Sequence, residues 1–384
     1  MRLPDSSIKE AILHPVEMVR DKAVVNFTNI YSADPTIMPL VIEAVERYGR
    51  EQAFSILRKA DRLTQTEATV EWLMNELPRD HEVIEAGEDN YHYTIACILA
   101  EANPLLLAPR ESEILATPAF PGWLRKVLRR RIELSTWSWD RTFKALRSFE
   151  LGTMHRKMRT QGDVRHSYRF IEALARHPHR AGKVFDLLRR PYTGKDRPLV
   201  LWLEPQLMAL AGMMHIEAVI PYLMKRIKKN TEDELGGSAA LTLYRIGTDA
   251  VVRAIDEVWR RASDEDRWLF ATILEEIQTD ESVQRCRTFL AAEEDEEVQL
   301  YLGLALLGNF DTDAIELLWP IVDDIDEDEI TPDERDFRCR LVILALVLGK
   351  MFPRFEEWYE AALQDRPRQL QLIRHWTTHP DDLI

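Results

Sequence analysis

Five basic residues share one predicted helix: Arg125, Lys126, Arg129, Arg130 and Arg131. Trp123 stands just before them, and Trp137, Trp139 and Arg141 follow. Arg156, Lys157 and Arg159, then Arg189 and Arg190, extend the run. Between Trp123 and Arg197 there are 20 Lys plus Arg against 7 Asp plus Glu. Cations interleaved with aromatic rings suit a phosphate backbone and stacked bases. The opposite sign collects elsewhere: Glu293 to Asp336 holds 17 acids and one base. Segregated charge gives a field with direction, whereas the net charge of −15 works against unspecific nucleic-acid binding. On the competing reading the tryptophans are core residues, and the arginines face water or pair with the acidic end.

Other chemistry is sparse. His155, His166, His177 and His179 lie close in sequence, but only Asp163 is nearby to offset the surrounding positive charge, so surface histidines are expected and no metal. His81 to Glu85 has Glu where a zincin needs its second His. Thr193-Gly194-Lys195 lacks the first glycine and the following hydroxyl of a P-loop. Asp324-x-Asp326-x-Asp328 has calcium-loop spacing, but Glu329 replaces the turn glycine and Arg335 the final ligand. No GxGxxG follows a strand, no GxSxG elbow occurs, and no cysteine has an evident His partner. No cofactor and no catalytic residue is assigned.

The elements that carry these residues repeat. Ala218-Val-Ile-Pro221, Ala250-Val-Val-Arg253, Ser282-Val-Gln-Arg285 and Ala314-Ile-Glu-Leu317 follow one another at steps of 32 residues. Glu217, Asp249, Glu281 and Asp313 precede them, acidic each time, as suits the free N–H groups and positive dipole end of a helix start. Thr248, Asp280 and Thr312 are candidate N-caps. Ile216, Val219, Ile220, Leu223 and Ile227 form one apolar stripe at helical spacing, and Val251, Val252, Ile255, Val258 and Trp259 repeat it. Upstream of each block runs another apolar helix, two of them closed by Gly247 and Gly308. Each unit is therefore helix, tight turn, helix. The N-terminal region obeys the same rule. Val19, Ala23, Phe27 and Ile30 make a stripe, Asp34-Pro35 a turn, and Ile37 to Tyr48 a second helix with Pro39 in its first turn. A further 32 residues leads from Pro39 to Glu71.

Val19-Arg-Asp-Lys-Ala23 with Asp34-Pro-Thr-Ile-Met-Pro-Leu-Val41, and Gly247-Thr-Asp-Ala-Val-Val-Arg-Ala-Ile255, resemble the short HEAT-type repeats of phycobilisome lyases. The resemblance implies an all-α chain folded as a right-handed α-solenoid of stacked antiparallel helix pairs. We divide residues 1–384 as one solenoid: HEAT-like repeats at 8–77, an irregular basic middle at 78–199, and regular repeats at 200–322. An acidic insert at 323–336 and capping helices at 337–384 complete it.

Function is less legible, because repeat motifs fix a fold and leave its use open. The leading expectation is a non-catalytic scaffold that binds another protein along its second helices. Candidate lining residues are Glu43, Glu46, Arg47, Glu71, Asn75, Lys225, Lys228, Lys229, Asp256 and Arg260. The alternative is a nucleic-acid-binding solenoid that uses the basic middle. HEAT-like alkylpurine DNA glycosylases use Trp, Asp and Arg in a basic cleft, and this chain has Trp137, Trp139, Asp140 and Arg141, with no motif that aligns. A phycobilin-lyase role ranks last. No secretory signal is read in Met1 to Glu10, and Cys97, Cys286 and Cys339 suit a reducing, cytoplasmic setting. The longest apolar stretch, Leu341 to Gly349, is far short of the ~20 residues a membrane span needs.

Overall fold

The structure, a computed structural model, describes residues 1–77, 90–118, 120–156, 160–189, 197–229, 234–322 and 330–364. The fold is all-helical, with no strand among the described residues; Arg2 and Asp311 form an isolated antiparallel bridge. The helices begin with α1 (Asp5–Ala11), α2 (Glu17–Asn29), α3 (Ile37–Leu57), α4 (Glu67–Glu76) and α5 (Tyr91–Glu101). Next come α6 (Pro104–Leu107), α7 (Glu111–Ala116), α8 (Gly122–Ser135), α9 (Trp139–Arg156) and α10 (Gln161–Ala175). They continue with α11 (Ala181–Arg189), α12 (Arg197–Met213), α13 (Ile220–Lys229), α14 (Glu234–Ile246) and α15 (Asp249–Trp259). The last are α16 (Asp264–Glu275), α17 (Asp280–Leu290), α18 (Glu296–Gly308), α19 (Ala314–Val322) and α20 (Pro332–Leu348), followed by a helical segment at 355–364. The chain packs as two units, Met1–Val127 with Gly303–Ile384, and Leu128–Leu302.

In the Leu128–Leu302 unit the helices pair and stack in two rows. α10, α12, α14 and α16 pack successively on one another, while α13 packs on α15 and α15 on α17. α11 meets the short 3-10 turn, Glu217–Val219, that leads into α13. The stripes read from the sequence are the buried faces: Ile216, Val219, Ile220, Leu223 and Ile227 in one pair, Val251, Val252, Ile255 and Trp259 in the next. Val258 is half-buried at the edge. Consecutive pairs are also tied by polar contacts: His215 Nδ1 lies 3.2 Å from the Ile246 carbonyl, and Arg253 meets Glu281 at 3.0 Å.

Helix starts and stops refine the reading. Thr248 is the N-cap residue of α15, but its hydroxyl makes no capping bond. α17 is capped one residue earlier than expected, by Thr279, whose hydroxyl accepts from the Ser282 N–H at 3.1 Å. Asp280 and Glu281 then occupy the first turn, where their charge meets the dipole. Residues with left-handed φ follow several first helices of pairs: Tyr31, His215, Gly247, Phe310 and Gly349. Gly247 fills this role as expected, whereas after α18 it falls to Phe310 and Gly308 stays helical.

In the unit made of residues 1–127 and 303–384, α2 pairs with α3 and also packs on α20. Leu3 N–H donates to the Phe310 carbonyl at 2.9 Å, Thr312 N–H to the Met1 carbonyl at 3.0 Å, and Asn26 Nδ2 to the Gly308 carbonyl at 3.3 Å. A strictly nearest-neighbour array has no such contact between its first and last repeats. The helix predicted from Ile37 runs on past Gly49, whose φ of 82° breaks it in two. Gly49 thus separates the second helix of one pair from a first helix over Arg50–Leu57 that the sequence reading missed. The 32-residue step still shows in hydrogen bonds: Arg20 donates to the Gln52 carbonyl at 2.8 Å and Thr64 to the Ser32 carbonyl at 3.0 Å. α20 begins at Pro332, five residues before Phe337, because Thr331 and Glu334 form a capping box and Pro332 suits the first turn. The rest of the acidic insert, residues 323–329, lies outside the described residues, as do His81 to Glu85 and Thr193 to Lys195.

Two predictions arise here. Asp34, in the α2–α3 turn, accepts from Lys9, and from the N–H and hydroxyl of Thr36 at 2.8 and 2.7 Å. These bonds, the Lys9 one foremost, hold its carboxyl down at about 2, against 3.8 in the unfolded chain. A depressed carboxylate stabilises the fold above its unfolded value, and that stability is lost as pH falls through the folded value. Asp34→Asn is expected to flatten the fall in stability between about pH 4 and pH 2, read from urea midpoints. The second concerns Gly303 in α18, where an added Cβ would overlap the Phe337 ring, with Cζ at 2.9 Å and Leu318 Cδ2 at 3.3 Å. Alanine gains up to ~1 kcal/mol of helix propensity, but overpacking costs about 1–3 kcal/mol, so overlap wins. Gly303→Ala is expected to lower the denaturation midpoint. Gly152→Ala, with nothing within 4 Å, should raise it.

Candidate functional site: a basic groove between consecutive second helices

The basic run of α8 does not form one surface. Arg125 is spent on the backbone: its guanidinium donates to the carbonyls of Leu115, Thr117, Pro118 and Phe120 at 2.8–3.2 Å. Arg131 is 3% exposed and pairs with Glu172 through both carboxylate oxygens. Arg130 pairs with Glu133 at 2.7 Å and lies over the Trp137 and Phe170 rings at 4.8 and 5.4 Å. Arg141 lies over Trp137 at 3.9 Å. Trp139 is 2% exposed, stacked on Phe143, with Lys183 Nζ 4.2 Å above its ring. Lys126, Arg129 and Arg141 keep exposed side chains, as do Trp123, Lys144 and Arg147. Asp140, the neighbour of these tryptophans, pairs with Lys183 at 2.8 Å and Arg180 at 3.7 Å, and the Lys183 bond depresses its pKa. Several cations of the basic middle are thus paired locally, with Glu133, Asp140, Asp163 and Glu172, while the stretch as a whole keeps an excess of positive charge.

The histidines do not converge on a ligand. His166 packs against Phe149 and Phe170, and burial, aided by Arg130, lowers its pKa. His177 and His179 meet edge to face at 5.8 Å. No group of three metal-ligating side chains occurs among the described residues.

Of the second-helix candidates, several are paired. Glu43 holds Arg47 at 2.6 Å, Glu71 holds Arg110 at 2.6 Å, and Asp256 holds Arg285 at 3.2 Å. Glu46, Asn75 and Arg260 are exposed, and the side chains of Lys228 and Lys229 lie outside the described residues. Lys225 is different. It lines a half-open cavity of about 630 Å³ between α11 and α13, together with Phe185, Arg189, Ala218, Pro221, Tyr222 and Arg226. Helical spacing sets this up. Phe185 and Arg189 stand one turn apart on α11, as do Pro221 with Lys225 and Tyr222 with Arg226 on α13.

The cations of the groove are of two kinds. Arg226 is fixed: its Nη2 meets Glu204 Oε1 at 2.6 Å, and its Nε and Nη2 donate to the Tyr222 hydroxyl at 3.2 and 3.1 Å. Tyr222 in turn donates to Glu204, and its pKa is pushed up by burial and by that bond. Glu204, on α12, is 1% exposed. Arg189 and Lys225, in contrast, make no ion pair among the described residues; Arg189 only covers the Phe185 ring at 4.9 Å. At the α15–α17 step of the same row, Arg253 and Arg285 meet Glu281 and Asp256 instead. Among the described residues the α11–α13 groove thus keeps two cations without an ion pair, whereas Arg253 and Arg285 at the later step are paired.

Lys225 was legible from the sequence, as a polar position on a second helix. Glu204 and Tyr222 were not, although one signal was present: Glu204 interrupts the apolar run from Pro198 to Ala211, a sign of a buried carboxylate needing a partner. No known protein family and no curated protein matches the chain.

Proposed function

We propose that this protein is a non-catalytic scaffold whose stacked pairs form a HEAT-like, right-handed solenoid segment, and that its second-helix row binds an acidic segment of a partner protein. The groove carries the reading. Two cations that make no ion pair among the described residues and one fixed guanidinium flank a half-open trough with an apolar wall, which suits an extended, negatively charged chain. The nucleic-acid alternative has less support. Trp137 and Trp139, the rings that would stack bases, already carry cations, and Trp139 is buried. Among the described residues no helix is long and apolar enough to cross a membrane.

A labelled pool of Asp- and Glu-rich peptides tests the reading by fluorescence anisotropy at low ionic strength. Arg189→Glu with Lys225→Glu is expected to weaken binding by at least about ten-fold, roughly 1.4 kcal/mol, with an unchanged helical spectrum. Failure of the unaltered protein to bind the pool, or equal binding by the double variant, would count against the groove.

A further inference from the structure

Resting on the reading of the groove as a partner site, we propose that it is built to hold a phosphoryl group carried on the partner's chain, as a phosphoserine-type monoester. The charge count points there. Arg189, Lys225 and Arg226 line the cavity, Arg226 is matched by the buried Glu204, and no lining residue is acidic, so among the described lining residues two positive charges are left over. A phosphate monoester brings about −1.5 to −2 at pH 7, whereas a single Asp or Glu brings one. The geometry agrees. Arg226 is held by Glu204 and Tyr222 through Nε and Nη2, while its Nη1 makes no hydrogen bond among the described residues. A pre-set guanidinium with donors to spare matches phosphate oxygens, and Arg189 and Lys225 can close on the same group.

Glu204 supports a positioning role. Its Oε2 is buried without a hydrogen-bond partner among the described residues. A buried ion pair gives little stability over an apolar replacement of the same volume. Orienting Arg226 at the cavity wall gives that carboxylate a use. The cavity, at about 630 Å³, is far larger than one phosphate, and Phe185, Ala218 and Pro221 offer apolar surface to the residues on either side. A nucleotide fits less well, because the Phe185 and Tyr222 rings each already carry an arginine, at 4.9 and 5.3 Å.

Anisotropy titrations at fixed ionic strength test this with four probes. They are a degenerate phosphoserine peptide pool, the same pool with serine, the same pool with glutamate, and adenosine monophosphate. The phosphoserine pool should bind at least about ten-fold tighter than the serine pool, and tighter than the glutamate pool. Arg189→Ala with Lys225→Ala, which removes side chains that make no ion pair among the described residues, should abolish that preference. Glu204→Gln separates positioning from charge. It makes the groove more positive, so charge alone predicts tighter phosphoserine binding, whereas loss of a positioned Arg226 predicts weaker binding. Tighter binding by Glu204→Gln would refute the positioning role. Equal binding of the phosphoserine and glutamate pools would overturn the phosphoryl assignment and leave the acidic-partner reading standing. Binding of no peptide pool would overturn both. Adenosine monophosphate binding as tightly as the phosphoserine pool would overturn the assignment to a partner's chain.

Discussion

Glu172→Ala is expected to destabilise the Leu128–Leu302 unit by about 3–5 kcal/mol, the cost of breaking a buried ion pair from one side. Glu172 serves three arginines. It takes both oxygens to Arg131, which is 3% exposed, and also meets Arg176 at 2.8 Å and Arg169 at 4.0 Å. Burial already lowers the Arg176 pKa, so this cation too depends on the carboxylate. Deleting Glu172 leaves these cations facing one another in a low-dielectric site. The exposed pair Arg130–Glu133 gives the comparison, since Glu133→Ala should cost no more than ~1 kcal/mol. Urea midpoints for the two variants measure the difference. Arg131→Met with Glu172→Leu should recover only part of the loss, because it removes the most buried cation but still takes the carboxylate from Arg176. Equal effects of Glu172→Ala and Glu133→Ala would show that the pair is not buried as described.

The second large effect lies in the second-helix row. Trp259 of α15 and Phe289 of α17 stack at 4.1 Å with their planes 3° apart, and both are buried. Their sequence separation is close to the repeat, so this is one pair gripping the next. Trp259→Ala removes a large apolar surface and leaves a cavity, worth about 3–5 kcal/mol. Stacking adds about 0.5–1.5 kcal/mol beyond area, and a double-mutant cycle with Phe289→Ala should recover a coupling of that size. In a stack stabilised through neighbour interfaces the loss spreads to adjoining pairs. Amide exchange should therefore quicken in α15, α17 and α13 before α10. Uniform quickening across the whole unit would contradict this.

Most of the helices were legible because their signal is local. Apolar residues at 216, 219, 220, 223 and 227 can bury together only on one helix face, and they do. The 32-residue step was legible for the same reason. What escaped was set by contacts distant in sequence or by backbone conformation. A left-handed residue follows several first helices, yet it is glycine at Gly247 and Gly349 and not at Tyr31, His215 or Phe310. Those three carry no compositional sign of a turn. Gly49 carried one that was overlooked. In the basic middle, part of the charge that the sequence displays is already paired within the fold. Arg131 finds Glu172 41 positions away, and Lys183 finds Asp140 43 positions away. No spacing rule announces pairs at such distances. The groove was half legible: Lys225 stood on a predicted second helix, but its neighbour Arg189 belonged to another pair, and the Glu204 that fixes Arg226 came from a first helix.

The claim that the α11–α13 groove is the binding surface is tested most directly by two matched charge reversals. Arg189→Glu with Lys225→Glu alters the groove, and Lys126→Glu with Arg129→Glu alters the exposed face of α8 by the same charge. Each is titrated with the labelled acidic peptide pool at one ionic strength. The predicted result is at least about a ten-fold loss for the groove variant and less than about two-fold for the α8 variant. Equal losses, or a larger loss from α8, would contradict the assignment of the groove.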